Sequence, residues 1–317
     1  MANHDAQGAE LKDSSGAAVE TNGLTKAFGK RVVVDRLSFT VPKACVAAFV
    51  GPNGAGKSTT LRLLLGLLRP TSGTATVLGT SIDKPEMYLP RVGSLIEGPA
   101  FYPGLTGRGN LEVLVALGKL RADHIDEVLE LVGLDRRSGD RVAKYSMGMK
   151  QRLGLAAALL PEPSLLILDE PANGLDPTGI AAMRTLLRKV ADLGITVLVS
   201  SHQLSELQQI ADWVIIINQG VLRYQGKLDP LLQRAGTTYI SPELPEDAGR
   251  LAEALKTAGY EPVVAVSGRI QIILDHGTAS DISRLAGELG IVLAELHTGQ
   301  STLEDVYFDM TDRGSIA

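Results

Sequence analysis

One cysteine, Cys45 in KACVAAFVG, stands in the whole 317-residue sequence, so an intrachain disulfide is excluded. It reads as a small buried strand residue in a reducing compartment. Long apolar runs are missing too. A membrane span needs roughly 18–20 such residues, and LRLLLGLL at 61–68 is too short, is broken by Arg62 and is closed off by Pro70. The expectation is a soluble protein that borrows any membrane role from a partner. A basic block is also absent: 31 Lys and Arg stand against 36 Asp and Glu, a net charge of −5, so no nucleic-acid partner is expected. The start, MANHDAQGAELKDSSGAAVE, has no basic segment leading into an apolar one, as a signal peptide would. Polar, acidic and rich in Ala, Gly and Ser, residues 1–20 read as a disordered tail. No internal repeat or low-complexity tract follows. What remains is a composition of ordinary globular kind, 44% hydrophobic and 21% charged, long enough for two domains.

From about 21 to 227 short apolar runs alternate with helical patterns, the sign of an α/β layer fold. The runs at 32–41 (VVVDRLSFTV) and 44–50 (ACVAAFV) read as strands, and 57–68 as a helix stopped before Pro70. Residues 98–160 are mostly helical. SLLILDE at 164–170 is apolar on both faces, as a strand flanked by parallel partners should be. A helix over TGIAAMRTLLRKVADL and a strand ITVLVSS follow, and then a hairpin turning at Asn218-Gln219-Gly220. Beyond Lys227 the order is strand, helix, strand, strand, helix, strand, which predicts a small ferredoxin-like α+β domain over 237–317. A last short helix opens on Ser301-Thr-Leu-Glu304, a capping-box pattern, with Leu303, Val306 and Tyr307 spaced for packing.

Two motifs carry chemistry. GPNGAGKST at 51–59 matches the phosphate-binding loop G-x-x-x-x-G-K-[ST] and lies between a strand and a helix, the context that pattern needs. Gly51, Gly54 and Gly56 let successive N–H groups converge on phosphate oxygens, and the helix beginning near Lys57 adds its positive end. Lys57 supplies an ammonium for the β- and γ-phosphates, and Ser58 a hydroxyl for Mg²⁺. LLILDE then ends in adjacent acids at the carboxyl end of a strand, the edge where ligands bind in open α/β sheets. Asp169 is expected in the Mg²⁺ shell, and Glu170 as the general base that polarises the attacking water.

In motif order over residues 21–227, the sequence resembles the ATPase subunit of ATP-binding cassette (ABC) transporters. YSMGMKQR at 145–152 looks like the family signature LSGGQ, and ANGLDP at 172–177 like the D-loop with Asp176. His202, after VLVSS, looks like the switch histidine, and Phe28, in LTKAFGK, like the aromatic that stacks on adenine. Taken singly, Phe28 reads as a core aromatic, His202 as a surface or satisfied histidine, and Asp176 as a turn cap; only their joint order turns the reading. The resemblance implies a P-loop NTPase cassette: a RecA-like α/β core, an antiparallel β subdomain and a helical subdomain. It implies ATP and Mg²⁺ as ligands. Gly51, Asn53, Gly54, Gly56, Lys57, Ser58, Thr59, Phe28 and Glu97 would contact the nucleotide, and Ser58, Asp169 and Glu97 the metal. Glu170, His202 and Lys57 would be catalytic. It implies a homodimer or pseudo-dimer in which Ser146 and Gly148 of one protomer face the γ-phosphate held by its partner. The other partner implied is an integral membrane permease that holds the subunit at the cytoplasmic face of the membrane.

The sequence departs from the family pattern twice. Met147 and Met149 replace a glycine and a glutamine of the signature, and Glu97, in SLIEGPAFYPGL, stands where the family generally has Gln. Read alone, Glu97 is a solvated acid at a strand end; within the resemblance it sits at the mouth of the ATP site. The Glu97 and SMGMKQR variants are similar to the ATPases of bacterial bacitracin-resistance and lantibiotic-immunity exporters. The segment after Glu97, with Phe101 and Tyr102 expected to be exposed, would receive the permease. The competing expectation is a non-transport ABC ATPase acting on DNA or ribosomes, but the long coiled coil or the second cassette and basic linker of those types are missing. A generic P-loop kinase leaves YSMGMKQR and His202 unexplained.

Overall fold

The computed structural model describes residues 16–96, 98, 100–201, 203–232, 237–265, 267–273, 277–298, 302–304, 306 and 307. Glu97, His202 and Ser301 lie outside the described residues, as do 1–15 of the expected tail. The chain divides into two compact units between Lys227 and Leu228.

Among the described residues, the first unit holds a six-stranded sheet in the order Val221–Lys227, Trp213–Asn218, Val46–Val50, Thr196–Ser201, Leu165–Asp169 and Val92–Leu95. Neighbours run parallel except in the hairpin that ends at Lys227. Both faces of this sheet are covered, so Val46–Val50 is buried at every position and Leu165–Leu168 is too. A second, antiparallel sheet is built from Arg31–Leu37, Val19–Phe28, Ser72–Val77 and Thr80–Ser81, with Thr40–Val41 also pairing on Val19–Phe28. The helix Lys57–Leu64 buries Thr60, Leu61, Leu63 and Leu64. It shares one apolar cluster with Val19, Leu24 and Phe39 on one side and Phe49, Ile167 and Ile215 on the other. The phosphate-loop helix is thus clamped by both layers. Helices Gly107–Gly118, His124–Leu131 and Met147–Leu159 occupy the stretch expected to be helical.

Several expectations need correction. The tail does not reach residue 20: Ala18 and Val19 are fully buried, and the Ala18 N–H bonds Val41 O at 2.8 Å, which draws this segment into the antiparallel sheet. The run 32–41 is two strands, because at Phe39 the Thr21 hydroxyl takes the backbone N–H at 2.8 Å and interrupts the ladder. The helix ends at Leu64, where Leu67 N–H folds back on Arg62 O at 2.9 Å. Cys45 lies in the turn before its strand, with Sγ 3.3 Å from Pro42 O. Phe101 is half-buried and only Tyr102 is exposed, because Asn110, itself buried, pins the backbone there by bonds to Tyr102 N and O.

In the second unit, four described strands run antiparallel in the order Val263–Val264, Ile270–Ile273, Thr237–Pro242 and Leu293–Thr298. Helices Ala248–Thr257 and Ala279–Glu288 share a core with them through Ile240, Leu251, Leu255, Ile270, Ile272 and Ile282. Leu303 and Val306 are buried, as packing residues should be. Among the described residues, no helix is long and apolar enough to cross a membrane.

Candidate functional site

Three parallel strands bring the chemistry to one edge. Val50 pairs with Ser201 and Asp169 with Ser200, so the carboxyl ends of Val46–Val50, Thr196–Ser201 and Leu165–Asp169 are in step. The residues that follow them are Gly51 of the phosphate loop, His202 and Glu170.

The loop Gly51–Gly56 turns back into the helix with Gly54 at φ 81° and Gly56 at φ 101°. Both angles lie where side chains are disfavoured. Gly56 has a second reason to be glycine, since a Cβ there would stand 2.7 Å from Val33 O. The outside of the loop is braced by the hairpin tip, where Gly220 N–H donates to Ala55 O at 3.0 Å while Gly220 O accepts from Asp35 N at 2.9 Å. Lys57 is only 5% exposed. Its ammonium donates to Gly51 O at 2.7 Å and to Pro52 O at 3.4 Å, and stands 3.5 Å from Glu170 Oε1. A buried cation needs such partners, and here two carbonyls and a carboxylate supply them. Ser58 and Thr59, in the first turn, are half-buried, and Asn53 is exposed on the loop.

The two acids are held differently. Asp169 Oδ1 accepts the Ser200 hydroxyl at 2.5 Å. Glu170, with φ 48°, adopts a left-handed conformation that costs a residue with a Cβ about 1–2 kcal/mol. Its N–H is shared between Ser200 O at 3.2 Å and Ser200 Oγ at 3.0 Å, and its carbonyl accepts from Asn173 N at 3.0 Å. Ser200 had no motif to mark it in the sequence; only its strand pairing brings it to the acids.

The remaining described candidates are Phe28 and the residues of a separate groove. Phe28 is not a core aromatic: its side chain is 49% exposed, with Lys26 Nζ 5.1 Å from the ring centroid. Ser146 caps the helix Met147–Leu159 by accepting Met149 N–H at 3.3 Å, and its own proton stays available to donate. Asp176 caps Pro177–Asp192 through Gly179 N–H at 2.9 Å, so the turn-cap reading describes its bond within this chain. Ser146, Met147, Gly148 and Asp176 line one groove of about 410 Å³, rimmed by the exposed Met147. Signature and D-loop candidates therefore share a surface, while Lys57, Asp169 and Glu170 form the other cluster.

The ABC transporter family model matches residues 34–173. Bacitracin transport ATP-binding protein BcrA of Bacillus licheniformis is 40% identical over 304 residues, 94% of this chain and 98% of that protein. The chain belongs to the ABC transporter family. It is an ATP-binding, ATP-hydrolysing subunit of that family, and its mixed α/β core is an ABC cassette. Lantibiotic transport ATP-binding protein SrtF of Streptococcus pyogenes is 38% identical over 211 residues, 67% of this ABC chain and 91% of that protein. A solved ATP-binding subunit of an ABC transporter, 30% identical, superposes with a TM-score of 0.61 over 69% of this chain and 93% of its own. The match to BcrA runs over 304 residues and so takes in the second unit, which begins at Leu228.

Proposed function

We propose that this ABC subunit powers an exporter of antimicrobial peptides or similar amphipathic compounds through an ATP-sandwiched dimer docked on a separate permease. The observation that carries the reading is the whole-length similarity to BcrA, which spans both units. Residues 21–227 act as the nucleotide-binding domain. Residues 237–317 act as a ferredoxin-like accessory domain, a reading supported by the strand order of the second unit.

At the site, Gly51, Asn53, Gly54, Gly56 and Thr59 shape the phosphate cradle, Lys57 neutralises the β- and γ-phosphates, and Phe28 offers its exposed ring to adenine. No group of three or more His, Cys, Asp or Glu suited to a metal occurs among the described residues. The donors present, the Ser58 hydroxyl and the Asp169 carboxylate, instead suit Mg²⁺ that arrives with phosphates, because this ion takes few protein ligands. Bound there, it would neutralise charge on the phosphate oxygens. Glu170 takes a proton from the attacking water, with His202 beside the γ-phosphate and Glu97 at the metal and coupling end. Ser146 and Gly148 of one protomer complete the partner's site, and Asp176 lies at the same seam. Removing the γ-phosphate contact loosens the dimer. The exposed Tyr102 belongs to the face offered to the permease.

Glu170→Gln tests this assembly. A general base contributes about 10²–10⁴ in rate, so the variant should lose turnover by that order and elute from gel filtration as a dimer when ATP and Mg²⁺ are present. Turnover at the parent rate, or a monomer with ATP, would refute the scheme.

A further inference from the structure

Ser200 is fully buried in the strand Thr196–Ser201 and pairs across the parallel ladder with Asp169. Paired residues of adjacent strands project to the same face, which places its hydroxyl against the carboxylate. The hydroxyl donates to Asp169 Oδ1 at 2.5 Å and accepts the Glu170 N–H at 3.0 Å. The carbonyl of Ser200 takes that same N–H at 3.2 Å. A serine hydroxyl has one proton and two lone pairs. With the Glu170 N–H arriving at a lone pair, the proton is directed at Asp169, so one small side chain touches both acids.

We propose that Ser200 is a positioning residue for ATP hydrolysis. It sets the direction of the Asp169 carboxylate and holds Glu170 in the left-handed backbone from which its side chain approaches Lys57. The inference rests on reading Asp169 as the metal-shell acid and Glu170 as the base. A space-filling role for Ser200 would be met by alanine, which occupies nearly the same volume. A positioning role would not, because alanine has no donor for Oδ1 and nothing to set its orientation.

The test uses the full-length chain, Ser200→Ala and Ser200→Thr. It reads kcat, the KM for ATP, the Mg²⁺ concentration for half-maximal rate, the thermal midpoint, and equilibrium binding of a fluorescent ATP analogue with and without Mg²⁺. Ser200→Ala should lose about 10–100-fold in kcat or in apparent Mg²⁺ affinity, the range for groups that orient metal-binding side chains. Its Mg²⁺-free nucleotide binding should stay at the parent value. Ser200→Thr keeps the hydroxyl and should recover most of the loss. Parent kcat and parent Mg²⁺ requirement in Ser200→Ala overturn the proposal. So do a loss of Mg²⁺-free binding in step with a lower thermal midpoint, or a folded Ser200→Thr as impaired as the alanine variant. Where the threonine methyl prevents folding, the Mg²⁺-dependent loss in Ser200→Ala decides alone. Asp169→Asn separates the two levels. If it is inactive while Ser200→Ala is normal, only the Ser200 proposal fails; if it retains parent activity, the underlying reading of Asp169 fails.

Discussion

Two glycines of the phosphate loop make a paired experiment. Gly54 and Gly56 both have positive φ, but a Cβ at Gly54 meets nothing within 4 Å, whereas one at Gly56 would stand 2.7 Å from Val33 O. Alanine at position 54 therefore carries the conformational penalty alone, about 1–2 kcal/mol. Alanine at position 56 carries that penalty plus an overpacking cost of about 1–3 kcal/mol, because the backbone of the strand Arg31–Leu37 cannot swing aside as a flexible side chain could. The assay is urea unfolding of the nucleotide-free protein followed by fluorescence of Trp213, the one tryptophan in the sequence, which reports on the first unit. With a slope of about 2 kcal/mol per molar, the overpacking cost separates the two midpoints by about 0.5–1.5 M, Gly56→Ala being the lower. The displaced loop should also weaken ATP binding more in Gly56→Ala than in Gly54→Ala. Coincident midpoints, or Gly54→Ala as the weaker protein, would refute the claim that the loop is pressed against Val33.

Lys57→Ala removes the buried ammonium beside Glu170 and should weaken ATP binding by about 10–150-fold, the equivalent of one charge-assisted hydrogen bond of about 1.5–3 kcal/mol. Unchanged affinity in a fluorescent-nucleotide titration would sink the phosphate-loop assignment. Burial, followed by the negative charge of Asp212, pushes the Cys45 thiol from 9.0 up to about 12, so iodoacetamide at pH 8 should label it only after unfolding. Because the native thiol keeps its proton where the unfolded one loses it, this group's contribution to stability is complete below about pH 9 and falls as pH rises toward about 12. Rapid native labelling would contradict the burial.

Much of the site was legible in the chain because its parts are local. A phosphate cradle is built from consecutive residues, so GPNGAGKST after VAAFV already specified the loop, its lysine and its helix. LLILDE announced a covered strand ending in acids for the same reason, and the turn-cap reading of Asp176 describes the bond it makes within this chain. Boundaries were less legible. Val19 looked like tail because its partners in the antiparallel sheet, Val41 and Val77, lie far along the chain. Phe28 stayed ambiguous between core and surface until the sheet left its ring half exposed. Ser200 was invisible, since a serine in VLVSS means nothing until two parallel strands align it with an acid 31 positions earlier. The sequence by itself determined which groups stand together in the glycine-rich loop and the first turn of its helix, because those groups are neighbours along the backbone. Only the tertiary structure decided how the two acids are aimed, because the hydroxyl that aims them reaches Asp169 and Glu170 through strand register and not through the chain.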